Sequence, residues 1–443
     1  MDLIFIVLLV YLVVLFLVAW FLSKRESVEE YLLNRKKTGL WMMTLSTVAT
    51  IVGAGATVAV VSEVYNSGIS YGLLLPCSFI VGMIILGILS KKIKQYGDKF
   101  NTYSIVDFFN KRFDKKNKIL VIILQLALLL VWIGIQAVAF ASLATVLIGI
   151  DYSIALILSA VVTILYTAVG GLMIDIVTDF IQFWIFALLF IIMTIIGLNH
   201  VGGYSVLINS LPQGHLDPFA FGGVGFFIFG VLMSGFLFLG NTAHWQRILS
   251  AKNSDIARKS FFIAIPITIV LSLMVILFGF MAAVLVPGGV KETALYILMK
   301  TILPTWLVGI GFAAVMAIIM SSVDSLIIGG STIISKNIFP QKKLINIRII
   351  TLLFGSLGFI LAFLVPDIIV LSLFVSYLAL IFAPPIFAGL YSKRVSANAS
   401  FYSLLIPSIL LVILYPIIDK NTFMITTPIG IIIILFYDKI FKK

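Results

Sequence analysis

The sequence predicts an all-α integral membrane protein of about thirteen transmembrane helices, and three observations carry that prediction. Of 443 residues, 62% are hydrophobic and 11% charged, with a mean hydropathy of +1.20. A chain of that composition cannot wrap one core in a water-compatible surface. Its apolar runs approach 20 residues, enough to cross a hydrocarbon layer about 30 Å thick. Its basic residues crowd onto alternate loops, as expected when cytoplasmic loops retain Lys and Arg.

The spans fall at roughly 3–23, 40–62, 70–90, 119–148, 152–171, 175–199, 221–243, 260–287, 304–335, 345–366, 367–391, 400–418 and 422–438. The first is too long for a signal-peptide core, lacks a basic start and runs into Lys24-Arg25, so it reads as a retained helix. With the N-terminus outside and the C-terminus cytoplasmic, the inner segments hold five basic residues in 24–37, nine in 91–118 and four in 247–259. Four more fall in 336–348, two in 393–394 and three in 439–443, or 27 of the 30 Lys and Arg. Only Lys291, Lys300 and Lys420 fall outside, and miscounting one helix would scramble that asymmetry. The +12 net charge therefore marks loops facing a lipid bilayer in the cell membrane. Nucleic acid would need a basic patch on a soluble face. The single Cys77 excludes an internal disulfide, and His200, His215 and His244 are too scattered for a metal motif. With no soluble domain and no nucleophile–base set, the chain does not read as an enzyme, and no obligatory protein partner is evident.

Two spans are interrupted by glycine. Gly53-Ala54-Gly55-Ala56 sits in the middle of 40–62, and Gly222, Gly223, Gly225, Gly230, Gly235 and Gly240 punctuate 221–243, five spans later. Paired broken helices that each open a five-helix block point to inverted repeats with a site near the midplane, although small residues also simply permit close helix packing. This divides one transporter domain, 1–443, into an extra N-terminal helix (3–23), a first repeat (40–199), a second repeat (221–391) and two C-terminal helices (400–438).

The stretch MSSVDSLIIGGSTIISKNIF, residues 320–339, buries an acid among hydroxyls. Ser321, Asp324 and Ser325 share a helical face by their i, i+3, i+4 spacing, with Ser322 and Ile318 beside it. Asp324 precedes Lys336 by twelve residues, about 18 Å along a helix, so it lies well inside the hydrocarbon core. A carboxylate there costs a few kcal/mol, roughly, unless paired, protonated or bound to a cation. Serines alone would bond back to their own helix; serines with an acid suit a hard cation, which takes oxygen ligands. A second acidic stretch, YTAVGGLMIDIVTDFIQ (166–182), places Asp175 and Asp179 at i, i+4 with Gln182 beyond. Asp175 suits the headgroup region at a helix N-terminus, and Asp179 lies about 6 Å deeper.

These motifs resemble the sodium:solute symporter family, whose members include sodium/proline, sodium/pantothenate and sodium/glucose symporters. YTAVGGLMIDIVTDFIQ is similar to its "YT-GGL-A-TD-Q" signature, and the 320–339 stretch to its serine-pair signature. HWQRILSAKNSDIARKS resembles its cytoplasmic "QR-L-AK…AR" loop, and APPIFAGLYSKR its tenth core helix. The resemblance runs from about residue 28 to 395. It implies a leucine-transporter-type five-plus-five inverted repeat with one extra N-terminal helix. It also implies Na⁺ as coupling ion, held by the carbonyls of Ala49, Val52 and Ile318 and the hydroxyls of Ser321 and Ser322. A second cation site found in part of the family falls on Asp179, Asp324 and Ser325. Because Asp324 replaces a hydroxyl found in some relatives, its occupant could be Na⁺, H⁺ or nothing.

The resemblance places the solute pocket at Ile51, Gly53, Gly55, Ala56, Phe79 and Asn241. The amide and acid side chains that sugar transporters use are missing from Ile51, Ala56 and Phe79, which disfavours a sugar. A small carboxylate or amino acid suits such walls better, bonding backbone N–H groups at the helix breaks. His244, three residues before Arg247, reads as an interfacial bystander. The leading reading is thus a secondary active carrier coupling Na⁺ to a small solute by alternating access. A proton-coupled carrier is the first alternative, and a transport-derived sensor, which would need a signalling domain or partner, the second.

Overall fold

The computed structural model describes residues 2–24, 26–220, 222–288, 293–364 and 368–441. Arg25, Lys291, Lys442 and Lys443 of the charge count lie outside these residues, as does Phe221 at the start of one expected span. From Ile6 on, helix α1 (Asp2–Ser23) buries the stripe Tyr11, Leu15 and Ala19, spaced four apart, and exposes Leu9, Phe16 and Phe21 to the surroundings. Its narrow contact, against the helices Thr305–Ile333, Tyr152–Val169 and Leu172–Val201, is what an added peripheral helix needs. Short α2 (Val28–Leu32) starts at a capping box between Ser27 and Glu30. The first broken span is α3 (Leu40–Ile51) with α4 (Val58–Ser67), bent by 71°.

Next come α5 (Ile69–Phe100), the loop helix α6 (Ile105–Arg112), α7 (Lys115–Ile148), α8 (Tyr152–Val169), α9 (Leu172–Val201) and short α10 (Tyr204–Asn209). In α9 the two faces separate cleanly: Phe183, Phe186 and Phe190 turn inward, and Trp184, Leu188, Ile191 and Ile195 turn outward. The second broken span is α11 (Gly223–Ser234), a 3₁₀ stretch Gly235–Gly240, then α12 (Thr242–Ser250). Gly240 has to be glycine, because an added Cβ would stand 2.1 Å from the Ala379 carbonyl oxygen. The remainder is α13 (Ser254–Leu285), α14 (Ala294–Ile302), α15 (Thr305–Ile333), α16 (Leu344–Leu364), α17 (Ile368–Leu380), α18 (Ala383–Tyr391), α19 (Ala397–Ile418) and α20 (Phe423–Phe441). Every residue of α15 from Gly311 to Ile333 is buried, which makes it the central post of the bundle.

Among the described residues, twelve helices are long and apolar enough to span a membrane, thirteen counting the bent pair α3–α4 as one. Their positions agree with the thirteen spans expected from hydropathy. Two local readings change. The expected loop 247–259 begins as helix α12, and Arg247, assigned to the cytoplasmic boundary, is fully buried. The 367–391 span bends at Ile381-Phe382 into α17 and α18.

Candidate cation and solute site

The first break frees backbone oxygens. Val52 leaves the helix at φ −79°, ψ 47°, Gly53 is extended, and a 3₁₀ turn covers Ala54–Ala56 before α4 begins. In a continuous helix the Ala54 N–H would bond Thr50 O, and the Ala56 N–H would bond Val52 O. Here Ala54 donates to Oε1 of Gln136 on α7 at 3.0 Å, and Ala56 donates to Gly53 O at 3.0 Å. The carbonyls of Thr50 and Val52 thereby lose their helical partners.

The serine pair of α15 meets this opening. Ser321 Oγ lies 3.0 Å from Ala49 O and 2.9 Å from Ile318 O, and Ser322 Oγ donates to Thr50 O at 3.0 Å. Ala49, Ile318 and Ser321 of the expected Na⁺ set are therefore mutually adjacent, with Ser322 one residue on and Val52 at the break. Both hydroxyls donate to carbonyls, leaving their lone pairs for a cation. An all-oxygen group of neutral ligands fits a monovalent hard ion.

Beside the break lies a cavity of about 150 Å³, and Ile51, Gly53, Gly55, Ala56, Phe79 and Asn241 all border it. Tyr71, Trp132, Tyr377 and Phe423 add aromatic walls. Asn241 also caps α12, its Oδ1 accepting from the Ala243 N–H at 2.9 Å. His244 borders the cavity too, stacked on Phe238 at 5.1 Å. Among the described residues, the buried His244 Nδ1 and Ser372 Oγ atoms have no hydrogen-bond partner and so are open to a bound molecule.

A buried ionic cluster lies one helical turn beyond the serine pair, at Ser325. Nη2 of Arg247 lies 2.7 Å from Asp179 Oδ2, 2.7 Å from Ser325 Oγ and 3.3 Å from Asp175 Oδ2. Its Nε donates to Ser46 Oγ at 3.0 Å, and that hydroxyl donates to Asp179 Oδ2 at 2.6 Å. The pairs are fully desolvated, so breaking either leaves an unpaired buried charge. Asp175, expected at the headgroups, belongs to this cluster. Asp324 does not share the guanidinium: among the described residues its hydrogen-bond partner is Thr167 Oγ1 on α8, at 2.5 Å. The expected second set therefore divides, Asp179 and Ser325 meeting through Arg247 and Asp324 bonding elsewhere.

Residues 31–407 match the family model described as the sodium:solute symporter family. The chain belongs to that family. It is a transporter, not an enzyme, within a Na⁺-coupled family of multi-pass membrane proteins. A sodium/pantothenate symporter of Haemophilus influenzae is 30% identical to this family member over 407 residues, 85% of this chain and 82% of that protein. An osmoregulated proline transporter of Bacillus subtilis is 24% identical over 87% of this chain and 83% of its own. A sodium/glucose cotransporter of Vibrio parahaemolyticus is 24% identical over 73% of this chain and 66% of that one. Among solved structures, a Na⁺-coupled sialic acid symporter in a substrate-bound outward-open state superposes with a TM-score of 0.86. It has 17% identity, and the match covers 99% of this chain and 98% of that one. Mhp1, a nucleobase-cation-symport-1 family transporter, gives 0.58 at 12% identity, over 92% and 94%. These two likenesses show the shared helical fold of this symporter family member.

Sequence reasoning assigned no role to Ser46, Thr50 and Gln136, each polar in an apolar helix without a motif of its own, or to Thr167, which sits in the 166–182 signature beside the acids that drew the argument. It placed Arg247 in a loop pattern because a residue near a span end looks interfacial until the break sinks it.

Proposed function

We propose that this chain is a secondary active carrier that couples Na⁺ entry to uptake of a small organic solute, with Na⁺ held by Ala49, Val52, Ile318, Ser321 and Ser322. The observation that carries this is Ser321 Oγ lying between the carbonyls of Ala49, at the helix break, and Ile318. An ion there would tie the first broken span to the central helix. Each ligand would then raise the other's affinity by the same factor. The cavity beside the break receives the solute. Apolar Ile51, Ala56 and Phe79 with a few polar atoms support a small carboxylate or amino acid over a sugar, and relatives named for pantothenate and proline support the same class. A carboxylate would take backbone N–H groups at the breaks. The charge asymmetry supports a cell-membrane location with the N-terminus outside and the C-terminus cytoplasmic, and the two broken spans support repeats at 40–199 and 221–391 of one domain.

The test is uptake in proteoliposomes, screened over amino acids and small carboxylates with an inward Na⁺ gradient. Ser321→Ala and Ser322→Ala are each expected to weaken Na⁺ activation by about 1–3 kcal/mol, for one ligand lost from a desolvated ion. Uptake indifferent to Na⁺, or both variants keeping wild-type Na⁺ dependence, overturns the assignment.

A further inference from the structure

We propose that His244 and Ser372 determine the specificity of the solute cavity by hydrogen-bonding an uncharged polar group, a hydroxyl or an amide, which the solute carries away from its carboxylate. The inference rests on the carrier reading above, in which the carboxylate lies at the helix breaks, and adds the chemistry of the solute's other end. Ser372 lies on α17 and His244 on α12, and both border the cavity. Neither is among the signature residues that carry the family resemblance.

The fold uses neither polar atom. Other hydroxyls at the cavity bond back to their own helix: Ser376 Oγ donates to Ser372 O at 2.6 Å, and Thr50 Oγ1 donates to Ser46 O at 2.9 Å. That is how a hydroxyl satisfies itself inside a membrane helix. Among the described residues Ser372 Oγ has no such bond. It faces Gly55 across the cavity, 3.9 Å from where a Cβ would stand. The buried His244 ring is held by packing, stacked on Phe238, which in turn meets Phe79 edge-on at 5.6 Å. A phenyl ring would pack in the same way, so Nδ1, without a partner among the described residues, is surplus to packing. A buried polar atom left unpaired is costly, and a solute group that pairs with it removes the cost. That group is uncharged, because no Asp, Glu, Lys or Arg among the described residues borders the cavity. An ammonium would enter without a counter-charge. An imidazole nitrogen and a serine hydroxyl between them donate and accept, which suits a hydroxyl or an amide. A solute lacking such a group leaves both atoms unpaired, which is how buried polar groups reject an analogue.

The experiment measures binding to the purified full-length chain in Na⁺, over carboxylates of three to five carbons whose far end carries hydrogen, hydroxyl, carboxamide or ammonium. The wild type is expected to bind the hydroxyl or carboxamide member about a hundredfold more tightly than its unsubstituted partner, about tenfold for each atom paired. Ser372→Ala and His244→Phe, the second keeping the stack on Phe238, should each cut that preference about tenfold. The unsubstituted acid should bind both variants as it binds the wild type. Equal affinity across the series in the wild type overturns the proposal, and so does a preference for the ammonium member. A preference unchanged in both variants, or a loss equal for every member, overturns it too, because a merely structural role would weaken all members alike. Should one variant fail to melt cooperatively, the other variant and the wild-type series decide. If no member binds, the proposal falls while ²²Na⁺ bound by the wild type and lost in Ser321→Ala leaves the Na⁺-coupled reading standing. A wild type that binds no ²²Na⁺ overturns that reading and this inference with it.

Discussion

Gly53 has no room for a side chain because Ser322 Oγ would stand 2.3 Å from its Cβ. The break in the first core helix and the hydroxyl of the central helix are therefore fitted to each other. Gly55, two residues on, differs: the nearest atom to an added Cβ there is Ser372 Oγ at 3.9 Å, across the cavity.

The two glycines are expected to separate ion from solute. Gly53→Ala pushes Ser322 off Thr50 O and should mimic Ser322→Ala, lowering apparent Na⁺ affinity about tenfold, in the lower part of the range for a lost polar contact. Gly55→Leu fills the cavity and should abolish solute binding while Na⁺ binding persists. Parallel measurements of ²²Na⁺ and solute binding check this. Equal loss of both ligands in both variants would refute the division.

Asp324→Asn is expected to leave the Na⁺ dependence of uptake nearly unchanged. Its described bond is to Thr167 Oγ1, and an amide oxygen can accept the same hydroxyl. Initial rates against Na⁺ in proteoliposomes check it, and a Na⁺-to-solute ratio lowered by one would make Asp324 a cation ligand.

Stability is expected to fall with rising pH through Glu26. This residue lies between α1 and α2, its side chain buried and both carboxyl oxygens without a hydrogen-bond partner among the described residues, with Arg348 at 3.9 Å. Burial pushes its carboxyl up to about 8, against the opposing pull of Arg348. The unfolded chain releases that proton near its ordinary value of about 4.3. The folded chain holds more protons between that value and 8, so the contribution is whole in acid and is lost as pH rises through the folded value. The melting temperature should drop between about pH 6 and about pH 8.5, and Glu26→Gln should flatten part of that drop. An identical pH profile in the variant would exclude Glu26 as a source.

The number and order of the spans were legible in the sequence because hydropathy and basic-residue asymmetry are one-dimensional. A helix must satisfy its own backbone in lipid, so about 20 apolar residues specify a span without knowledge of its neighbours. The glycines at 53–55 and the acid among serines at 321–325 were legible for the same reason: each contradicts its local surroundings, and a polar group in hydrocarbon demands an explanation. Partners were not legible. Gln136 caps the break from 82 residues away, and Arg247 crosses 68 residues to reach Asp179. No local pattern encodes such a pairing. Whether Asp179 faces an entering ion or a guanidinium was decided only when the second broken helix carried Arg247 inward, because a buried charge takes whichever opposite charge the packing brings within reach.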